Sequence, residues 1–308
     1  MKKLIAFILI LSSLFLTACA GTAPEDSDGK LKIVTTVFPA YDFARAIAGD
    51  RAEVTLLVPP GAEIHSFEPT AKDVVSIENC TLLVCNGGES EAWLTRVLDG
   101  VEKDVDTVVM MECVTPLEEE LKEGMEGEKS DEKEFDEHVW TSPVNAALIC
   151  KQICAELSRL DKENEAYYAE NCASYCQELS ELDAAFREVA ANARGNTLIF
   201  ADRFPVRYFV EEYGLDYYAA FSGCADDAEA SAKTVRFLIE KVKDNAVPAV
   251  LYIEFSNEKM ADTVCEDTGC GKVLFHSCHN VSADDMKNGV SYIQLMWNNV
   301  DSVREALG

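Results

Sequence analysis

The sequence predicts an α/β fold of two βαβα lobes with parallel sheets, joined by one long rigid backbone helix. Three observations predict it. From residue 31 short β-rich runs alternate with helical segments, the pattern of parallel βαβ units. An unbroken apolar seam runs through residues 161–194. After Gly195 the alternation begins again.

The first 30 residues stand apart from that pattern. Met1-Lys2-Lys3, an apolar run from Leu4 to Leu16 and then Thr17-Ala18-Cys19 form the charged, apolar and small-residue zones of an export leader over 1–18. The run is shorter than the roughly 20 residues a membrane helix needs. Cysteine directly after Leu16-Thr17-Ala18 resembles a bacterial lipobox, which makes Cys19 the candidate for lipidation and the anchor to the membrane. Residues 19–30 are small and polar, as a flexible tether is.

The first lobe is expected over 31–160. Predicted strands cover 31–37, 53–58, 81–85 and 106–111, with helices over 41–49, 71–79, 89–100 and 144–160 between and after them. Thr70 with Asp73 reads as a capping box opening the second helix. The stretch 117–137 is so acidic and glycine-interrupted that a solvated, disordered loop is expected there. The linking helix, 161–194, places Tyr168, Cys172, Tyr175, Leu179, Leu182, Phe186 and Val189 at alternating steps of four and three, a seam packed along its length. The second lobe, 195–308, repeats the pattern, with predicted strands over 197–201, 215–220, 249–254 and 272–275 and helices over 206–213, 231–244, 259–268 and 290–307.

The chain has 308 residues and a net charge of −28 from 27 basic and 55 acidic side chains. Loss of Lys2 and Lys3 with the leader makes it more negative still, which excludes nucleic acid as a partner. Twelve cysteines are many for an exported chain. Cys150 and Cys154, like Cys172 and Cys176, lie four apart on predicted helices and read as small core residues rather than metal ligands. Cys224 and Cys278 each follow a strand of the second lobe and are a candidate disulfide.

Histidine is scarce, only four residues, and three of them follow predicted strands: His65 after the second, His276 and His279 after the last. His138 stands where the acidic stretch returns to the first lobe. Ligands of parallel sheets lie beyond the carboxyl ends of the strands, so these imidazoles, with carboxylates such as Asp202, would line the cleft between the lobes. A mixed nitrogen and oxygen set suits Zn2+ or Mn2+, and mostly nitrogen favours zinc.

These residues resemble a known family, the zinc and manganese solute-binding lipoproteins of ABC importers. Pro60-Gly61-Ala62-Glu63-Ile64-His65-Ser66-Phe67-Glu68-Pro69 is similar to the motif that carries the family's first metal ligand. Asn86-Gly87 with Glu91 and Trp93 resembles a second motif. Asp136-Glu137-His138-Val139-Trp140 with Pro143, Asn145 and Ala146 resembles the motif of the second ligand, and Tyr292 to Asn299 the terminal helix. The resemblance implies a monomeric receptor, two lobes on a backbone helix, delivery of metal to a membrane permease, and no catalysis.

The resemblance also exposes a departure. Arg203 stands where the third ligand, histidine or glutamate, belongs, and arginine cannot ligate a metal. His65 and His138 therefore carry over, His279 takes the second lobe's position, and His276 and Asp202 compete for what remains, Asp202 being free to ligate or to pair with Arg203. Three rivals stand against this reading. A zinc-dependent hydrolase also needs three histidines and an open position. A siderophore- or corrinoid-binding protein of the same architecture needs a wide pocket. A metal-dependent adhesin is compatible with transport.

Overall fold

Two four-stranded sheets share one connectivity. The computed structural model describes residues 30–64, 66–127, 133–223 and 230–308. Its first sheet holds β1 (Leu31–Thr35), β2 (Ala52–Leu56), β3 (Leu82–Cys85) and β4 (Thr107–Val109) in the order β2-β1-β3-β4. The second holds β5 (Thr197–Phe204), β6 (Asp216–Ser222), β7 (Ala249–Tyr252) and β8 (Gly271–Leu274) in the equivalent order β6-β5-β7-β8. All pairings are parallel, as the βαβ alternation predicts. In each sheet the chain leaves the second strand position in opposite directions, which opens a crevice at the carboxyl ends. The export leader, Cys19, the tether to residue 29, His65 and Cys224 lie outside the described residues.

The helices are α1 (Phe38–Ala48), α2 (Ala71–Glu78), α3 (Ala92–Gly100), α4 (Pro143–Leu160), α5 (Glu165–Asn192), α6 (Arg207–Tyr213), α7 (Ala232–Asn245), α8 (Lys259–Thr268), α9 (Ala283–Asn288) and α10 (Tyr292–Leu307). The Thr70–Asp73 capping box opens α2. Helix α5, 28 residues and therefore about 42 Å long, joins the sheets. It buries the seven seam residues that the four-and-three spacing picks out. One apolar core runs from Ile33 and Phe43 through Tyr168 and Leu182 to Phe200 and Val300, so both sheets pack on the same inner layer of helices. Smaller cores cover the outer faces, one around Trp93 and Leu94, the other around Leu238 and Val264. None of the described helices is long and apolar enough to cross a membrane.

Asp42 of α1 ties the inner layer together. Its carboxylate, 1% exposed, accepts from the Tyr175 hydroxyl of α5 and the Tyr292 amide of α10, both at 2.9 Å, and pairs with Arg45. A buried carboxylate persists only with such partners. Cys150 and Cys172 are buried in the same core and Cys154 and Cys176 pack against it, as read from their spacing.

Two features differ from expectation. The described part of the acidic stretch, 117–127 and 133–137, docks on the second sheet instead of standing in solvent. The Glu126 amide donates to the Ala220 carbonyl at 2.8 Å beside the edge strand β6, and Lys122 pairs with Asp216. Glu126 accepts from the Ser231 amide at 2.7 Å and from the Thr234 hydroxyl, capping the start of α7. Acidic side chains are stabilised at a helix N-terminus, and an edge strand offers free backbone groups, so composition alone misjudges this segment. Helix α9 was not foreseen either, although Ser282 and Asp285 form a capping box and Gly289 ends it in the left-handed conformation.

Candidate metal centre

The crevice at the strand ends closes on a small cavity of about 30 Å³. Its wall takes Glu63 and Ile64 from the loop after β2, Arg203 from the end of β5, Gly223 after β6, Glu254 and Phe255 after β7, and His279 after β8. His138 enters from the segment that precedes α4. Several contacts hold the crevice shut beside it. The Asn280 side-chain amide donates to the carbonyls of Pro59 and Ala62, both at 2.9 Å, and the Gly61 amide donates to the Val281 carbonyl at 2.8 Å.

His138 is 1% exposed. Its backbone amide donates to Asp136 Oδ1 at 2.8 Å, and the same oxygen lies 3.2 Å from ring Nδ1. Ring Nε2 is buried without a hydrogen-bond partner among the described residues. A carboxylate on Nδ1 favours the tautomer that leaves a lone pair on Nε2, the arrangement of a metal-ligating imidazole. Burial disfavours the imidazolium, but Asp136, Glu137 and Glu119 outweigh it and raise the His138 pKa. Gly223 allows the close approach of β6, since a Cβ there would meet the Phe204 carbonyl at 2.9 Å and His138 Cε1 at 3.0 Å.

The motif residues of the first sheet support this histidine. Asn86 Nδ2 donates to the Glu137 carbonyl at 2.9 Å, the Gly87 amide donates to Glu91 Oε2 at 2.7 Å, and Glu137 accepts from Ser90. Trp93 packs edge-on against Phe67, two residues from His65, at 5.4 Å between ring centroids.

His279 faces His138, with ring centroids 5.1 Å apart and Trp140 at 5.1 Å from His279. Trp140 Nε1 donates to the Ser277 carbonyl at 2.8 Å, which fixes the 276–280 loop against the His138 segment. The structure thus brings His138 and His279 together. His276 is placed differently: its Nδ1 accepts from the Cys278 amide at 3.0 Å, and Asn299 of α10 grips its backbone from both sides at 2.8 Å. Asp202 gives both oxygens to backbone amides, Oδ1 to Arg203 at 2.8 Å and Oδ2 to Ile253 at 3.3 Å. Arg203 pairs across the crevice with Glu63, 3.5 Å away, rather than with Asp202. Cys278 is buried, and Cys224, its candidate partner, lies outside the described residues.

Sequence reasoning missed Glu254, which lines the cavity and accepts from the Ser277 amide at 2.7 Å and its hydroxyl at 2.5 Å. Its place just past the end of β7 was the available signal. Among the described residues no three histidine, cysteine, aspartate or glutamate side chains converge to hold a metal. His138 and His279 offer two imidazoles, and the loop that carries His65 borders the same cavity at Glu63 and Ile64.

The comparisons with known proteins cover nearly the entire described chain. The zinc-binding lipoprotein AdcA of Streptococcus pneumoniae is 32% identical over 309 residues, spanning 99% of this chain and 61% of AdcA, so the chain spans about three-fifths of that relative. The high-affinity zinc uptake system protein ZnuA of Bacillus subtilis is 30% identical over 98% of this chain and 96% of its own length. The Zn(II)-bound ZnuA-like domain of S. pneumoniae AdcA superposes with a TM-score of 0.76 at 30% identity, covering 91% of this chain and 99% of the domain. The metal-dependent lipoprotein YcdH of B. subtilis gives 0.77 at 28% identity, over 91% and 100%. The family model described as ZnuA, zinc-uptake complex component A, periplasmic, matches residues 33–306, which takes in α5, every described wall residue of the cavity and both sheets but for the first two residues of β1: the chain belongs to that family of zinc-uptake solute-binding proteins.

Proposed function

We propose that the chain is an extracytoplasmic receptor that captures one zinc ion in the cavity at the strand ends and delivers it to the permease of an ABC importer. The observation that carries this reading is the buried Nε2 of His138, unpartnered among the described residues, with Asp136 favouring the ligating tautomer and His279 facing the ring. His65 supplies the third imidazole from the loop after β2. Glu254, in the same wall, supplies an oxygen as the fourth donor of a tetrahedral site. His276 shapes the loop and Asp202 the turn. Three nitrogens favour zinc over manganese. The S. pneumoniae and B. subtilis relatives are named as zinc-binding and zinc-uptake proteins, which supports the same metal.

The cavity size argues against the siderophore or corrinoid alternative. About 30 Å³ admits an ion or a water, whereas small-molecule pockets run to several hundred cubic ångströms. Family membership in a zinc-uptake complex argues against hydrolysis. The anchor is a lipid on Cys19, the division is a first lobe over 31–160, a linker over 161–194 and a second lobe over 195–308, and the working state is a monomer.

Titration calorimetry with zinc and manganese on metal-stripped protein tests the reading. One zinc per chain, with manganese weaker, is expected. Absence of zinc binding, or unchanged binding in His138→Ala, would overturn it.

A further inference from the structure

The geometry points to a disulfide between Cys265 and Cys270 that staples the end of α8 to the start of β8. Cys265 lies in the last turn of α8, and Gly269 ends that helix in the left-handed conformation at φ 77°, donating its amide to the Cys265 carbonyl at 2.8 Å. That reversal returns Cys270 beside the turn it has just left. The two Sγ atoms are 3.6 Å apart, and both residues are partly exposed. Thr268 Oγ1 accepts from the Cys270 amide at 3.3 Å, fixing the turn from the other side.

A disulfide needs sulfurs about 2.05 Å apart and Cβ atoms about 3.8 Å apart. Here one partner ends a helix and the other sits in a turn, so side-chain rotation and a small shift of the turn close the gap. Cys172 and Cys176 offer a contrast. Their sulfurs are 3.9 Å apart, but both lie inside α5, where residues four apart hold their Cβ atoms about 5–6 Å from each other, too far to bridge without unwinding the helix.

Closure removes one proton from each thiol and two electrons from the pair. The oxidant is another disulfide, of a thiol oxidoreductase or a small molecule: one thiolate attacks it, the second resolves the mixed disulfide, and two thiols leave. The oxidising surroundings rest on the extracytoplasmic placement proposed above. The bond pins the residue immediately before β8, whose other end carries the 276–280 loop. It lies about 13 Å of strand away from that loop, so it acts on stability and leaves zinc affinity unchanged.

Trypsin releases both cysteines in one peptide, Met260 to Lys272. Full-length protein is alkylated with iodoacetamide under denaturing conditions and digested, in two samples: one taken directly from cells, one incubated with oxidised glutathione. The expected peptide is unalkylated in both and lighter by two hydrogens than the reduced form. Alkylation of both cysteines in both samples overturns the pairing. Alkylation only in the sample from cells overturns the oxidising placement and leaves the turn geometry standing. Cys270→Ser should melt several degrees below the oxidised parent and level with it in reductant. A gap that persists in reductant would mean the cysteines stabilise by packing alone, and the bond would be rejected.

Discussion

Asp136 holds His138 twice with one oxygen, accepting its backbone amide at 2.8 Å and lying 3.2 Å from its ring Nδ1. Rotation of the ring and choice of tautomer are thereby fixed from a single point. Because Nε2 has no hydrogen-bond partner among the described residues, the effect of Asp136 is felt at that nitrogen. Asp136→Asn keeps the shape but weakens the acceptor, and loss of such a partner typically lowers metal affinity about 10–100-fold. Titration calorimetry against the parent measures it. Equal affinities would show that packing alone orients His138.

The four candidate ligands of the described chain should separate into two groups. His138→Ala and His279→Ala each remove an imidazole from the cavity wall and should lower zinc affinity by several kcal/mol, on the order of a hundredfold or more. His276→Ala loosens a loop that Asn299 still grips, so its effect should be smaller. Asp202→Ala frees two backbone amides and should lower the melting temperature with little change in affinity, since unsatisfied buried donors cost about 1–3 kcal/mol each. Abolished binding in Asp202→Ala alone would reverse the grouping.

Zinc binding should weaken as pH falls, and the decline should begin above the ordinary histidine range. Burial lowers the His138 pKa, but the surrounding carboxylates of Asp136, Glu137 and Glu119 raise it further, and the net shift is upward. Metal needs the neutral ring, so protons compete at a higher pH than for a free imidazole. Asp136→Asn removes the largest of the raising charges and should move the decline to lower pH. A pH profile identical in parent and variant would sever the link.

The fold was legible because its signals are periodic. The seam from Tyr168 to Val189 and the βαβ alternation depend on spacing, and spacing survives any choice of partner. The site was legible to the level of residue type. His138 and His279 stand out as two of only four histidines, His279 beyond a strand end and His138 where the acidic stretch returns to the first lobe, but their meeting depends on how the Trp140 segment lies on the 276–280 loop, which no local pattern encodes. His276 shares the scarcity and the strand-end position of His279, and Asp202 stands beside the position of the family's third ligand, yet both are turned to backbone amides. The acidic stretch failed for the opposite reason: its glutamates find a helix end and an edge strand far away in sequence.

Arg203 lines the cavity with its charge directed at Glu63 across the crevice. A cation there repels an entering dication, and the position is the one where the resemblance places a histidine or glutamate ligand. Arg203→His removes the charge and adds an imidazole, so zinc affinity should rise by about tenfold or more. Arg203→Ala separates the two effects by removing the charge alone. If Arg203→His binds no more tightly than Arg203→Ala, the side chain at this position does not reach the metal.

Glu91 should make stability fall as pH rises through neutrality. Burial pushes its carboxyl up to about 7, opposed by the nearby Thr36 hydroxyl and by the Gly87 amide that donates to Oε2 at 2.7 Å, and helped by the nearby charge of Glu137. A raised folded-state value means that the native protein holds the proton more tightly than the unfolded chain. Its contribution is therefore complete below about 4.5 and lost progressively as pH rises through about 7, by an amount on the order of 3 kcal/mol. Glu91→Gln keeps an oxygen for the Gly87 amide and stays neutral at every pH, so it should be more stable than the parent above neutrality. The two should converge in acid. Denaturant midpoints for both proteins across that range measure the difference, in which every other titrating group cancels. Parallel curves would mean that Glu91 is charged in the folded protein despite its burial, with water reaching Oε1, which has no hydrogen-bond partner among the described residues.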